Sequence, residues 1–228
     1  VNADLIYGIF SQSADDCAAA VRRMAPFLVH LSSYALTVEP GTPFHDLGVK
    51  DRLPGDDESA THFEAISAEA GRIGLAQYEV SNFAMPGFEC RHNINTWDYG
   101  QYTGLGPSAV GFDGRRRYKN VPELGAYAEE LKQGRMPETE IETPDEDTAT
   151  RDRFILGLRT RRGVKLTETE AMALPEAVDE AGLGEYVEFK EDRLKVKSSK
   201  LILLNEIILR LDPLLARIAD RRSPVKII

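Results

Sequence analysis

Asn2-Ala-Asp-Leu-Ile-Tyr-Gly8, Ser13-Ala-Asp-Asp16 and Val29-His-Leu-Ser-Ser-Tyr-Ala-Leu36 follow one another at the start of the chain. The first run is short, mostly apolar and ends at a glycine, which predicts a mostly buried strand. The second is helix-starting chemistry, a serine hydroxyl placed ahead of carboxylates that suit a helix N-terminus. Cys17, Val21 and Met24 then recur at helical spacing until Pro26, and the third run is again strand-like.

Working outward, Glu39-Pro-Gly-Thr-Pro43 is turn chemistry. A polar loop through Pro54-Gly55-Asp56 leads to a helix over about 57–73, with Phe63, Ile66, Ala70 and Ile73 on one face and Gly74 at its end. Ala76-Gln-Tyr-Glu-Val80 predicts a third strand. Strands alternating with single helices predict a parallel α/β architecture. Three such strands leave the edge at residues 1–7 bare, which predicts further polypeptide upstream to cover it. A first residue that is Val1 rather than Met points the same way.

Residues 82–107 have little periodicity and many Gly, Asn and aromatic residues, which predicts a long functional loop. Residues 108–112 and 116–119 read as a hairpin around Asp113-Gly114, with a type I′-like turn. After Asn120 a helix to Gln133 is closed by Gly134, residues 136–147 form an acidic linker, and a second helix runs over about 148–159. A second hairpin follows around Glu191-Asp192. The last helix carries Leu201, Leu204, Ile208 and Leu211 and is predicted to break at Pro213, with Asp212 capping a final turn. Helices, a hairpin and a closing helix predict a winged-helix-like module, a fold expectation that says nothing about DNA. The predicted domains are residues 1–120 and 121–228.

The bulk numbers narrow the partners. At 228 residues the chain holds one large core, or a medium domain and a small one. A net charge of −9, from 28 basic and 37 acidic side chains, gives no general attraction to phosphate backbones or anionic lipid, so no nucleic acid partner is expected. The one basic run, Arg115-Arg116-Arg117 with Lys119, reads as a solvated hairpin tip. No stretch approaches the roughly 20 apolar residues of a membrane span, and no signal-peptide pattern is present; the expected location is cytoplasmic. Cys17 and Cys90 are too few for a disulfide framework or a cysteine-held cluster.

Several residues carry candidate chemistry. Asp4 lies in an otherwise apolar strand, so its carboxylate needs a partner, either a ligand hydroxyl or amine or nearby backbone amides. Glu79, before Ser81 and Asn82, reads as structural. Cys90-Arg-His-Asn-Ile-Asn-Thr-Trp97 packs sulfur, imidazole, two amides and the chain's one Trp into a single segment. His and Cys can ligate haem iron, and Trp can wall a macrocycle; alternatively the segment satisfies its own backbone and the indole is a plug. Gly104-Leu-Gly-Pro-Ser-Ala-Val-Gly111 lacks the Lys and Ser/Thr of a phosphate loop, and its glycines suit close approach of a ligand or strand. His30, His45 and His62 read as structural or surface residues. No catalytic residue is identified.

Taken in order, Asp4-Leu-Ile-Tyr-Gly8, Leu31-Ser-Ser-Tyr-Ala-Leu-Thr37, Glu39-Pro-Gly-Thr42, Gln77-Tyr-Glu-Val-Ser-Asn-Phe83, Cys90-Arg-His-Asn93 and the Tyr102 to Ala109 segment resemble the oxygen-independent coproporphyrinogen III oxidase-like proteins of the radical-SAM superfamily. The Cys-Arg-His-Asn-x-x-x-Trp segment points within that group to the haem-chaperone (HemW-type) branch. The resemblance runs in register over residues 1–120 and more loosely to Leu211. It implies an α/β fold: the C-terminal part of a partial TIM-like radical-SAM barrel, then a mainly helical winged-helix-like domain.

The resemblance also implies a site. It places Asp4, Thr37 and Val110 at an S-adenosylmethionine pocket, and His92, Asn93 and Trp97 in a haem-binding segment with His92 as iron ligand. The implied activity is holding haem and delivering it to membrane-bound respiratory proteins. The alternative is the oxidative decarboxylation of coproporphyrinogen III. The family's Cys-x-x-x-Cys-x-x-Cys, which holds a 4Fe–4S cluster and through it S-adenosylmethionine, is not in this sequence. Phe10-Ser11 replaces the family's Pro-Gly, Thr96 its Tyr, and Lys200 a glycine.

Overall fold

The first helix begins where the sequence predicts. The Ser13 hydroxyl accepts the Asp16 amide, and the Asp16 carboxylate accepts the Ser13 amide in return, a capping box that satisfies two otherwise orphaned donors. The computed structural model describes residues 1–222, with side chains through residue 216. Their contacts divide the chain into two compact units, Val1–Cys90 and Arg91–Ile228. The sequence-based expectation set the division at residue 120.

In the first unit β1 (Asn2–Tyr7), α1 (Ala14–Met24), β2 (His30–Ala35), the single turn α2 (Pro43–Asp46), α3 (Asp56–Arg72), β3 (Ala76–Gln77) and β4 (Asn82–Ala84) follow in order. β1 and β2 are parallel, joined by the α1 crossover, as a parallel pair requires. The third strand departs from expectation. It stops at Gln77, and β4 returns antiparallel between β3 and β2, giving a mixed sheet of order β1-β2-β4-β3. The cause is Glu79. Its buried carboxylate accepts the Ser81 amide at 2.8 Å and the Asn82 side-chain amide at 2.5 Å, curling the backbone where an extended strand end was predicted. Among the described residues β1 pairs with β2 alone, so the opening strand is a sheet edge as predicted.

β1 is not mostly buried. Its residues alternate, with Ala3, Leu5 and Tyr7 packed toward the core and Asn2, Asp4 and Ile6 exposed. Leu31 and Phe83 continue the packed face, covered by Cys17 and Val21 of α1 and by Ile66 and Ala70 of α3. The helical faces read from the sequence are those that bury.

The second unit contains α4 (Arg91–Trp97), β5 (Val110–Phe112), β6 (Arg117–Asn120), α5 (Leu124–Lys132), β7 (Glu138–Glu142), α6 (Glu146–Gly157), β8 (Val164–Lys165), α7 (Glu168–Glu180), β9 (Val187–Lys190), β10 (Arg193–Val196) and α8 (Leu204–Arg222). Three expectations are corrected. The expected loop over 82–107 contains β4 and the helix α4. The expected acidic linker contains β7, paired antiparallel with β6, because Glu138, Glu140 and Glu142 meet Arg116, Lys119 and Arg117 across the ladder. Arg116, Arg117 and Lys119 of the basic run are thus paired, while Arg115 at the hairpin tip is exposed, as read from the sequence. Pro213 lies inside α8 and does not end it; buried Leu211, Leu214 and Leu215 hold both sides of the lost hydrogen bond in one apolar stripe. The last three strands form a sheet of order β8-β10-β9 accompanied by α6, α7 and α8, the helix-and-hairpin arrangement that sequence predicts. The two small sheets do not close into a barrel among the described residues.

Candidate functional site

The sheet register sets side chains in rows. Asp4 lies opposite Ser32, and Ser32 opposite Asn82. Asn2, His30 and Ala84 make the next row. Because partners across a ladder share a face and neighbours along a strand alternate, the face away from the helical core carries Asn2, Asp4, His30, Ser32 and Asn82. It is a polar face, rich in acceptors, next to the exposed ends of β1 and β2. Thr37 lies just beyond β2 and is exposed.

Asp4 is exposed rather than sunk in an apolar strand, so it carries no large desolvation cost. It anchors a directed chain of hydrogen bonds. A carboxylate only accepts, so the Asn2 side-chain amide donates to it, at 3.2 Å. The Asn2 carbonyl oxygen therefore accepts from His30 Nδ1 at 2.6 Å. His30 Nε2, left as the acceptor, takes the Tyr78 hydroxyl at 2.8 Å, and Tyr78 accepts the Cys90 amide at 3.3 Å. The chain is satisfied throughout with His30 neutral and protonated at Nδ1. Burial pushes the His30 pKa down, against the pull of Asp4 and Glu89. Burial pushes Tyr78 up to about 12. Sequence reading placed His30 among structural histidines. The available signal was its period-two spacing from Ser32 on the face that Asp4 shares.

In the second unit His92, Asn93 and Trp97 lie on α4. Backbone hydrogen bonds carry on past its end, the Asp98 amide donating to the Ile94 carbonyl at 2.8 Å; the Thr96 hydroxyl donates to the His92 carbonyl at 3.1 Å and the Asn95 side-chain amide to the Gln101 carbonyl at 2.8 Å. His92 is exposed, with its ring edge-on to Tyr102 at a centroid separation of 6.4 Å. Neither ring nitrogen has a hydrogen bond among the described residues. Asn93 and Trp97 are four residues apart and share a helix face, whereas His92 and Trp97, five apart, point about 140° from each other. One face of the Trp97 ring is covered by the Arg159 guanidinium at 4.6 Å, and its Nε1–H is buried without an acceptor among the described residues.

Val110 is 46% exposed on β5, opposite Lys119. The glycine-rich segment before it permits close packing of backbone. A Cβ on Gly104 would lie 2.6 Å from the Val110 carbonyl oxygen, and one on Gly111 would meet the Tyr118 ring at 2.1 Å. At the β5–β6 turn the Asp113 carboxylate accepts the amides of Arg116 and Arg115, which hold its pKa down to about 2.

Comparison with known proteins places this geometry. No protein-family profile matches the chain. It is 36% identical to the haem chaperone HemW of Mycobacterium tuberculosis over 212 residues, which is 91% of this chain and 54% of that protein. It is 30% identical to the HemW of Bacillus subtilis over 72% of this chain and 44% of that one. The chain belongs to the HemW-type family. It spans about half the length of the curated relatives it matches. Coproporphyrinogen III oxidase (HemN) of Escherichia coli superposes with a TM-score of 0.71 over 92% of this chain and 54% of that one, at 19% identity. That likeness shows the fold to be the radical-SAM one.

The groups that the family implies fit this chain unequally. Cys17 is sealed in the core, and burial pushes its thiol pKa up; with Cys90 it makes up the chain's 2 cysteines. No cluster of three or more His, Cys, Asp or Glu able to hold a metal occurs among the described residues. These residues do not fit an iron–sulfur cluster, and no radical step is derived from them. The Asp4 row, with its acceptors, fits the hydroxyl and amine donors of S-adenosylmethionine. An exposed imidazole with open nitrogens is a donor of the type that could hold haem iron.

The departures from the family pattern have local readings. Ser11 adopts φ 62°, the left-handed conformation that the family's glycine accepts without strain. The Thr96 hydroxyl turns back onto its own helix. Lys200 sits 5.7 Å above the Tyr186 ring.

Proposed function

We propose that this chain belongs to a cytoplasmic haem-binding chaperone that holds haem through His92 and delivers it to membrane-bound respiratory proteins. The observation that carries the reading is the exposed His92 imidazole at the first turn of α4, both nitrogens open, in a chain similar to HemW proteins over most of its length. When bound, haem would supply an iron that takes the neutral imidazole lone pair. Asn93, the next residue on α4, would border it, and Asp4 and Thr37 of the first unit would contact S-adenosylmethionine. No helix among the described residues is long and apolar enough to cross a membrane. The oxidase reading has the fold likeness behind it, and fold alone does not carry chemistry.

Haem titration followed by Soret absorbance tests the ligand. His92→Ala is expected to weaken binding at least about tenfold, the loss of one coordinate bond being worth more than 1.4 kcal/mol. An unchanged spectrum and affinity would reject His92 as ligand.

A further inference from the structure

An exposed side chain exchanges rotamers rapidly unless something packs against it, and freezing it when a ligand arrives weakens binding. His92 is exposed and its ring nitrogens make no hydrogen bond among the described residues, so no polar contact fixes its ring. One ring contact does. The Tyr102 ring stands against the imidazole at a centroid separation of 6.4 Å, with 83° between the two planes. That geometry is the edge-to-face arrangement that aromatic pairs favour over a stacked sandwich.

Tyr102 is itself held from both sides. After α4 the chain reverses through Tyr99, whose φ is 60°, and the Gly100 amide donates to the Asn95 carbonyl at 2.8 Å. The reversal is tight: a Cβ on Gly100 would lie 2.8 Å from that carbonyl oxygen and 2.3 Å from the Asn95 side-chain oxygen. The Asn95 side-chain amide then holds the Gln101 carbonyl at 2.8 Å. On the far side, Tyr102 exchanges two backbone hydrogen bonds of 2.9 Å with Phe112 of β5. Phe112 is buried, with the Tyr99 ring 4.7 Å from its own. A ring carried by backbone pinned in this way is a fixed wall beside the first turn of α4.

We infer that Tyr102 is a positioning residue for His92: its ring holds the imidazole in one orientation, so that the open nitrogens are presented ready for iron. The link to iron rests on the haem reading; the restraint on His92 does not. The contact is made by the aromatic ring, so phenylalanine serves at this position and an aliphatic side chain does not.

The test uses the intact 228-residue chain and has one arm without haem and one with it. The chain has 4 histidines, so the imidazole NMR resonances of His92 are assigned by their loss in His92→Ala. Without haem, Tyr102→Leu is expected to shift and broaden them, and Tyr102→Phe to leave them sharp and near their wild-type positions. Unmoved His92 resonances in Tyr102→Leu overturn the proposal. With haem, followed by Soret absorbance, Tyr102→Leu is expected to bind about fivefold more weakly, the factor that freezing one side chain is worth. Tyr102→Phe should restore wild-type affinity. Adding Tyr102→Leu to His92→Ala should weaken binding no further, because the effect of Tyr102 passes through the imidazole. The same fivefold loss in the absence of His92 overturns the positioning role. If the wild type binds no haem, the haem reading fails and the NMR arm alone decides whether Tyr102 fixes His92. Urea unfolding of each variant separates loss of binding from loss of fold, and Tyr102→Met takes the place of Tyr102→Leu if the latter does not fold.

Discussion

At the scale of single residues, the chain shows how a side chain's neighbours assign its role. Asp4 fixes the direction of three hydrogen bonds because a carboxylate can only accept, and that direction makes His30 a neutral Nδ1–H tautomer. Spacing made Asp4 visible in the sequence as a candidate. The chain beyond it was hidden, since Tyr78 and Cys90 reach His30 only through the folded backbone. Ser11 tells a complementary story. The family pattern has glycine there, and the structure keeps a left-handed φ of 62° with a serine in place. Ser11→Gly is expected to raise stability by about 0.5–1 kcal/mol, relief of the left-handed strain outweighing the added freedom of the unfolded chain. Urea unfolding of the two proteins measures it; a lower midpoint for the variant would show that the serine is held there without cost.

At the scale of elements, local chemistry and tertiary pairing divide the outcome. α1, α3 and the β9–β10 hairpin lie where their caps, periodicity and turn residues put them. β3 and β7 do not. A carboxylate that curls its own backbone shortens β3, and three glutamates become a strand only when Arg116, Arg117 and Lys119 stand opposite. The glycine-rich segment belongs at this scale as well. Gly104 faces the Val110 backbone so closely that a methyl group would stand 2.6 Å from its carbonyl oxygen. Backbone cannot give way as a flexible side chain does, so Gly104→Ala is expected to cost about 1–3 kcal/mol. A urea midpoint equal to the wild type's would show that this approach is loose.

At the scale of the molecule, stability carries a pH dependence with a definite sign. His30 has its pKa lowered by burial in the folded state, while an unfolded imidazole titrates near about 6.5. Between those values the unfolded chain binds the extra proton, so stability rises with pH and the His30 contribution is lost as pH falls below about 6.5. The denaturation midpoint should therefore be lower at pH 5.5 than at pH 7.5, with part of that difference absent in His30→Gln. Equal pH slopes in the two proteins would remove His30 as the source. What the sequence by itself determined is the α/β beginning, the helical faces, the helix-and-hairpin end and the family, because periodicity, caps and turn residues act over short stretches of chain. Tertiary structure alone decided which strand reverses, that β1 turns a polar face outward, that Pro213 rides inside a helix, and that Trp97 lies under Arg159. Each of these depends on groups distant along the chain meeting in space, where burial, charge and hydrogen-bond direction act together, and no local pattern records them.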